Sequence, residues 1–278
     1  MLDYKKDLKM TDLILQDNEV KDYDKLYFTS NENLNEVFYG MDFTGKNVLT
    51  VLASGDQAFH IYNHNAKHVD LFDINKLTIY FFYLRIWFIE QYNMFHLPNH
   101  IENTYILNLL NLVTPRTMEE KFAHNYWLVL IDILLSNHKS LNSIQIEYPK
   151  DLAEIKDLDR IKEQLKNSNF NFYNIDISKN NFSIKEKYDV IYLSNIIDWI
   201  LINHIELNTL VSNLNNLLTD TGTIICTDYL LVGASHHEDK AFQKLFNKKD
   251  LPITKEESYR DSYPPGYCYV KRKNNNTK

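Results

Sequence analysis

Glycine and proline are scarce in this 278-residue chain, with six of each. Such scarcity excludes a collagen-like or low-complexity chain, and it leaves the many asparagines to make turns and caps. Cysteine is scarcer still. Cys226 and Cys268 alone cannot build a disulfide framework or a four-cysteine zinc site, and this usage fits a reducing cytoplasm. Long apolar runs are missing too. The longest, Leu77 to Ile89 (LTIYFFYLRIWFI), contains Arg85 and stops short of the roughly 20 residues of a membrane span. The first residues, MLDYKKDLKMTDLILQDNEV, are charged throughout and do not read as a signal peptide. A soluble protein is expected, with peripheral membrane contact left open. Basic excess is absent as well. A net charge of -7 makes nucleic acid a poor partner, because phosphate neutralisation needs clustered Lys and Arg. No G-x-S-x-G elbow, Walker loop or H-E-x-x-H occurs, which argues against a hydrolase triad, a P-loop nucleotidase and a zincin.

What is present suffices for a sizeable core. At 44% hydrophobic and 13% aromatic, the chain suits one large α/β domain with insertions, or two small domains. Neither an internal repeat nor a Pro/Gly/Ser linker divides it. Residues 1–45 read as helical or irregular. From Lys46 onward strands alternate with helices. Strands are expected at Lys46–Ala53, His68–Asp73, Phe170–Ile175, Tyr188–Leu193 and Thr223–Tyr229. Helices are expected at Gln57–Asn65, Asn75–Gln91, Asp151–Asn167 and His204–Leu218, with further helix between Asn93 and Ser140. This alternation predicts an α/β fold: a Rossmann-like, doubly wound, mostly parallel sheet over residues 46–229, with a helical insertion at about 91–150. Residues 230–278 read as a rim segment and a polar tail, frayed from Lys271.

In such a sheet ligands bind beyond the carboxyl ends of the strands, where strand order reverses. The first strand leads into Ala53-Ser54-Gly55-Asp56-Gln57. A glycine there lets the backbone approach a ligand, and the helix that follows aims free N–H groups at a carboxylate. A plain turn capped by Ser54 or Asp56 accounts for the same residues. The second strand ends in Asp73, roughly 20 residues past that loop, where a carboxylate can accept from two vicinal ribose hydroxyls. Capping of the next helix, by Asp73 or by Asn75, is the plain alternative. Asp176, after the third strand, suits either an exocyclic amine or a solvated loop. Ser194-Asn195 and Asp198-Trp199 follow the fourth strand, as pocket groups or as helix caps. His236 and His237, beside Glu238 and Asp239, form a rim loop that reads as acid–base machinery or as solvated surface. His60 and His64 share a helix face without a third ligand, so no metal is expected.

Three stretches resemble a known family. VLTVLASGDQAF (Val48–Phe59), VDLFDIN (Val69–Asn75) and YDVIYLSNIIDWI (Tyr188–Ile200) are similar to class I S-adenosylmethionine (SAM)-dependent transferases. More narrowly, they resemble the betaine-lipid synthase amino-carboxypropyl transferases and their uncharacterised bacterial relatives. The resemblance implies SAM as cofactor, with Ser54, Gly55, Asp56 and Gln57 along its methionine end. It implies that Asp73 holds the ribose with Asn75 nearby, and that Asp176 lies near the adenine. Ser194, Asn195, Asp198 and Trp199 would border the reacting centre. Asp198, His236 or His237 would serve as base for the acceptor, a small molecule or a lipid. Transfer of the 3-amino-3-carboxypropyl group is favoured slightly over methyl transfer. A SAM-binding protein without turnover and a nicotinamide-dependent oxidoreductase are the remaining readings. Against the last, G-x-G-x-x-G is absent.

Overall fold

A computed structural model describes residues 2–16, 26–27, 30, 32–97, 101–141, 145–146, 155, 157–167, 170–179, 184–196, 207–228, 247–249 and 267–272. In chain order the first elements are α1 (Tyr4–Gln16), β1 (Leu26–Tyr27), α2 (Leu34–Val37), β2 (Asn47–Val51), α3 (Asp56–Asn63) and β3 (His68–Asp73). Next come α4 (Thr78–Tyr92), α5 (Asn103–Leu112), α6 (Met118–Ser136), β4 (Gln145–Ile146), α7 (Leu158–Asn167) and β5 (Phe172–Asn174). The last are β6 (Tyr188–Tyr192), α8 (Leu207–Asn215), β7 (Leu218–Asp228), β8 (Asn247–Lys249) and β9 (Tyr267–Arg272). Two compact units are distinguished: residues 1–31, 52–56 and 75–167 form one, and residues 32–51, 57–74 and 168–278 the other.

The second unit holds a seven-stranded sheet in the order β5-β3-β2-β6-β7-β9-β8. Strands β5, β3, β2, β6 and β7 pair in parallel, while β9 is antiparallel to both β7 and β8. This is the expected Rossmann-like, doubly wound, mostly parallel sheet. Its central strands are apolar on both faces: Val48, Leu49, Thr50 and Val51 of β2 are all buried, as a covered parallel strand requires. Strands β8 and β9 come from the segment read as rim and tail. Lys271 and Arg272, expected to fray, pair with Ile224 and Thr223. The aromatic and β-branched run Tyr267-Cys268-Tyr269-Val270 supplies the strand propensity that the polar residues around it obscured.

Polar groups lock the amino ends of the strands. Asp70, fully buried in β3, accepts from the Tyr188 hydroxyl at 2.6 Å and from the Asn171 backbone N–H at 2.8 Å, and contacts His68 Nε2 at 2.8 Å. Burial first, and the Asp70 carboxylate second, push the Tyr188 phenol far above its ordinary pKa. Asp189 accepts from the Asn47 N–H and the Thr219 hydroxyl, at 3.0 and 3.1 Å. The expected turn at Asp220-Thr221-Gly222 lies inside β7 as a register shift, with Tyr188 opposite Leu218 and Val190 opposite Thr223.

Among its described residues, the first unit has helices and a short parallel pairing of β1 with β4. Helix α4 is buried from Thr78 to Ile89, in keeping with an apolar run broken only by Arg85. Each large side chain so placed is worth about 1.5–3 kcal/mol. The Asn75 side chain accepts from the Leu77 N–H at 2.9 Å, starting the helix, and Asn93 ends it in the left-handed region at φ 55°. Helix α1 docks through polar groups: Asp7 accepts from the Tyr80 hydroxyl at 2.5 Å and from Lys76 at 2.9 Å. Thr11 meets the Tyr126 hydroxyl at 2.8 Å, and Tyr126 stacks on Tyr80 with centroids 4.0 Å apart. Between α5 and α6, Thr117 caps α6 by accepting from the Glu120 N–H. No helix of the described residues is long and apolar enough to cross a membrane.

Gly222 leaves no room for a side chain: a Cβ there would lie 2.8 Å from the Leu218 Cβ and 3.0 Å from the Tyr188 carbonyl oxygen. Gly222→Ala is therefore expected to destabilise the protein by about 1–3 kcal/mol through overpacking. Thermal unfolding reads the effect, and an unchanged midpoint contradicts it.

Candidate functional site

Strand order reverses between β2 and β6, since the chain runs outward through β3 and β5 on one side and through β7 on the other. The two segments that leave this switch point share a feature. Ala53, after β2, adopts φ 45°, and Ser194, after β6, adopts φ 55°. Neither is a glycine, and each such residue costs on the order of 1–3 kcal/mol and persists only where its surroundings enforce it.

The loop after β2 is enforced from within the helical unit. The Gly55 N–H donates to the Leu52 carbonyl at 2.6 Å, with Gly55 itself at φ 87°. The Asp56 carboxylate turns back into the loop and accepts from the Ser54 hydroxyl at 3.0 Å and from the Ser30 N–H at 2.6 Å. Its other oxygen pairs with Arg85 Nη1 at 2.6 Å, both side chains having no solvent exposure. Arg85 also donates to the Ser54 carbonyl at 2.7 Å and to the Phe95 carbonyl at 2.9 Å, and lies 5.0 Å from the centre of the Phe95 ring. A lone arginine in an apolar helix thus becomes the clamp of a glycine-poor loop. Asp56 is its counter-ion, a role that neither the turn reading nor the methionine reading anticipated.

In the sheet-bearing unit, the segment after β6 is enforced by Glu32. This carboxyl group is fully buried. One of its oxygens accepts from the Tyr192 hydroxyl at 2.9 Å and the Ser194 hydroxyl at 2.8 Å, and the other from the Thr227 hydroxyl. The Gln57 side chain is a fourth partner. Burial pushes the Glu32 pKa above the usual carboxylate value, and it outweighs the opposing pull of the bonds from Thr227, Ser194, Tyr192 and Gln57. The ladder continues past β6, with the Thr227 N–H donating to the Ser194 carbonyl at 3.0 Å. Glu32 escaped the sequence reading because nothing in Ser30-Asn31-Glu32-Asn33 marks it. Arg85 did leave a signal: a charge inside a buried helix demands a partner.

The remaining expected residues fall as follows. Asp73 closes β3 and is 7% exposed. Its backbone carbonyl accepts from the Ile175 N–H at 3.1 Å and the Asn174 side chain at 3.0 Å, which ties the ends of β3 and β5 together. Asn75 lies two residues before Leu77, the N-cap of α4, and its side chain accepts from the Leu77 N–H. Asp176, beyond β5, accepts from the Ser178 hydroxyl at 2.5 Å and pairs with Lys179 at 3.2 Å. Burial would raise its pKa, but the bonds from Ser178 and Lys179 together hold it below the usual value. Asn195 is half-buried beside Ser194. Asp198, Trp199, His236 and His237 lie outside the described residues. His60 and His64 serve packing: both rings contact Phe38, and His64 Nδ1 lies 2.8 Å from the His60 carbonyl.

No protein-family model matches the chain, and no curated protein matches it in sequence. Solved structures do align over nearly its whole length. The N-methyltransferase NodS from Bradyrhizobium japonicum WM9, in complex with S-adenosyl-L-homocysteine, covers 95% of this chain and 97% of its own, at 8% identity and a TM-score of 0.42. A putative S-adenosylmethionine-dependent methyltransferase from Listeria monocytogenes covers 87% and 98%, at 10% identity and a TM-score of 0.42. A TehB-like SAM-dependent methyltransferase from Corynebacterium glutamicum covers 98% of each chain, at 7% identity and a TM-score of 0.39. Likeness this remote carries no argument about activity, which rests on the residues themselves.

Removing one partner of the Arg85–Asp56 pair strands a buried charge. Arg85→Met is expected to cost about 3–5 kcal/mol in denaturant unfolding, with part of that loss recovered in Arg85→Met/Asp56→Asn. A single variant as stable as the parent would contradict the clamp.

Proposed function

We propose that this protein is a SAM-dependent transferase that binds the cofactor beyond the carboxyl ends of β2, β3 and β5. The observation that carries this reading is Asp73. It ends the second strand of the parallel series, where a carboxylate suits the vicinal hydroxyls of a ribose. The donor set supports the same fit. Gly55, at φ 87°, opens the backbone toward a ligand, and α3 starts directly after it with N–H groups suited to a carboxylate. In this reading Ser54, Gly55 and Gln57 line the methionine end, and Asp56 acts through the loop it anchors. Asp176 stands at the adenine end, and Ser194 and Asn195 border the reacting centre. Asp198 and Trp199, and His236 or His237 as acceptor base, complete the proposal by resemblance.

Bound SAM supplies an electrophilic carbon at its sulfonium. The chain's task is then to align an acceptor with that carbon and to exclude water. Resemblance in YDVIYLSNIIDWI favours transfer of the 3-amino-3-carboxypropyl group. The acceptor is proposed to be a small molecule or a lipid. The sheet counts against a nicotinamide enzyme: β9 is inserted antiparallel between β7 and β8, whereas the dinucleotide-binding order runs directly from fifth to sixth strand.

Incubation with SAM and cell extract is expected to release 5′-methylthioadenosine; release of S-adenosylhomocysteine instead would assign methyl transfer. Asp73→Ala is expected to weaken SAM binding more than about tenfold, the loss of a charge-assisted hydrogen-bond pair. Unchanged affinity by calorimetry would remove Asp73 from the ribose.

A further inference from the structure

Arg85 has no part in the proposal above, although it is a charged side chain without solvent exposure. A buried ion pair is by itself a weak source of stability, since apolar residues of like volume often serve as well. What an arginine adds is geometry: a planar fork whose donors are fixed relative to one another. Here Nη1 reaches the Asp56 carboxylate at 2.6 Å and the Ser54 carbonyl at 2.7 Å, while Nη2 reaches the Phe95 carbonyl at 2.9 Å. The Ser54 carbonyl and the Gly55 N–H belong to one peptide unit, which is planar. Arg85 holds that unit at its oxygen, and the Leu52 carbonyl holds it at its N–H, 2.6 Å away. Positive φ at Ala53 and Gly55, 45° and 87°, brackets it, so the orientation of this one unit sets the course of the loop.

We propose that Arg85 is a positioning residue for the methionine end of SAM: by fixing the Ser54–Gly55 peptide unit, it holds the loop in the shape that accepts the amino-carboxypropyl chain. This rests on the SAM reading, which sets Ser54, Gly55 and Gln57 along that chain and Asp73 and Asp176 along the adenosyl end. Selectivity follows. A ligand that carries the amino-carboxypropyl chain depends on the clamp, whereas one that lacks the chain does not. A clamp that served stability alone would move both ligands alike.

S-adenosylhomocysteine and 5′-methylthioadenosine are the probes, two thioethers that share the adenosyl group and differ in that chain. Arg85→Lys keeps a positive charge beside Asp56, but a single ammonium cannot span both carbonyls. By calorimetry the variant is expected to bind S-adenosylhomocysteine about tenfold more weakly, with 5′-methylthioadenosine changed less than about threefold, the loss of a preorganised loop. Should that variant fail to fold, Phe95→Leu removes only the ring beside the guanidinium, 5.0 Å away. It is expected to weaken S-adenosylhomocysteine about threefold and to leave 5′-methylthioadenosine unchanged. Equal losses for the two ligands, or no loss for either, overturn the inference while leaving the SAM reading intact. Binding of neither ligand by the wild-type protein overturns both.

Discussion

A buried ion pair, Arg85 with Asp56, is the constraint on which the proposed cofactor loop depends. Loops at this point of a doubly wound sheet usually obtain their shape from several glycines, whose missing Cβ permits left-handed turns and close approach. This chain has only Gly55 there. It turns Ala53 through φ 45° and holds the strained result with an arginine that spans the Asp56 carboxylate and two backbone carbonyls. Rigidity supplied by a buried ion pair is more costly to assemble than a glycine turn, but it pre-shapes the loop, and a pre-shaped loop needs no ordering on binding. The missing glycines thus mark a different means of support.

The segment after β6 follows the same logic with other chemistry. Ser194 also turns left-handed, and here a carboxyl group from the chain just before α2 collects hydroxyls from β6 and β7. Ser30 contributes its N–H to Asp56 within one unit, and Glu32 its carboxyl to Ser194 and Thr227 within the other. Ser30 and Glu32, two residues apart in sequence, thus each support a loop within their own unit. Removing the Glu32 carboxyl group would take its acceptor from the buried Ser194 and Thr227 hydroxyls.

Local pattern made much of the fold legible. His68–Asp73 is a strand with the expected bounds, and the apolar run after Asn75 is a helix buried along almost its whole length. Period and burial are properties of contiguous residues, so contiguous residues reveal them. Strand β8, three residues at the sheet edge, and β9, whose strand-forming run is embedded in polar residues, were not legible. Among the candidate residues, Asp73 ends β3 and the Ser54–Gln57 stretch follows β2, the strand ends that their spacing indicated. Glu32 was invisible for the opposite reason. Its partners Tyr192, Ser194 and Thr227 are 160, 162 and 195 residues away, and one sequence holds no record of such pairings. Asp56 was noticed for its place in the loop, while its actual partner, Arg85, was noticed only as a charge in an apolar run.

In the proposed reading the carboxyl ends of the parallel strands bind an adenosyl cofactor. Amide hydrogen exchange with and without SAM tests it most directly, because it localises binding without needing the acceptor. The account predicts slowed exchange in peptides covering Leu52–Gln57, Asp73–Asn75 and Ser194–Asn195, with β8 and β9 unchanged. Exchange unaffected by SAM at those three places, or slowed only elsewhere, would contradict it.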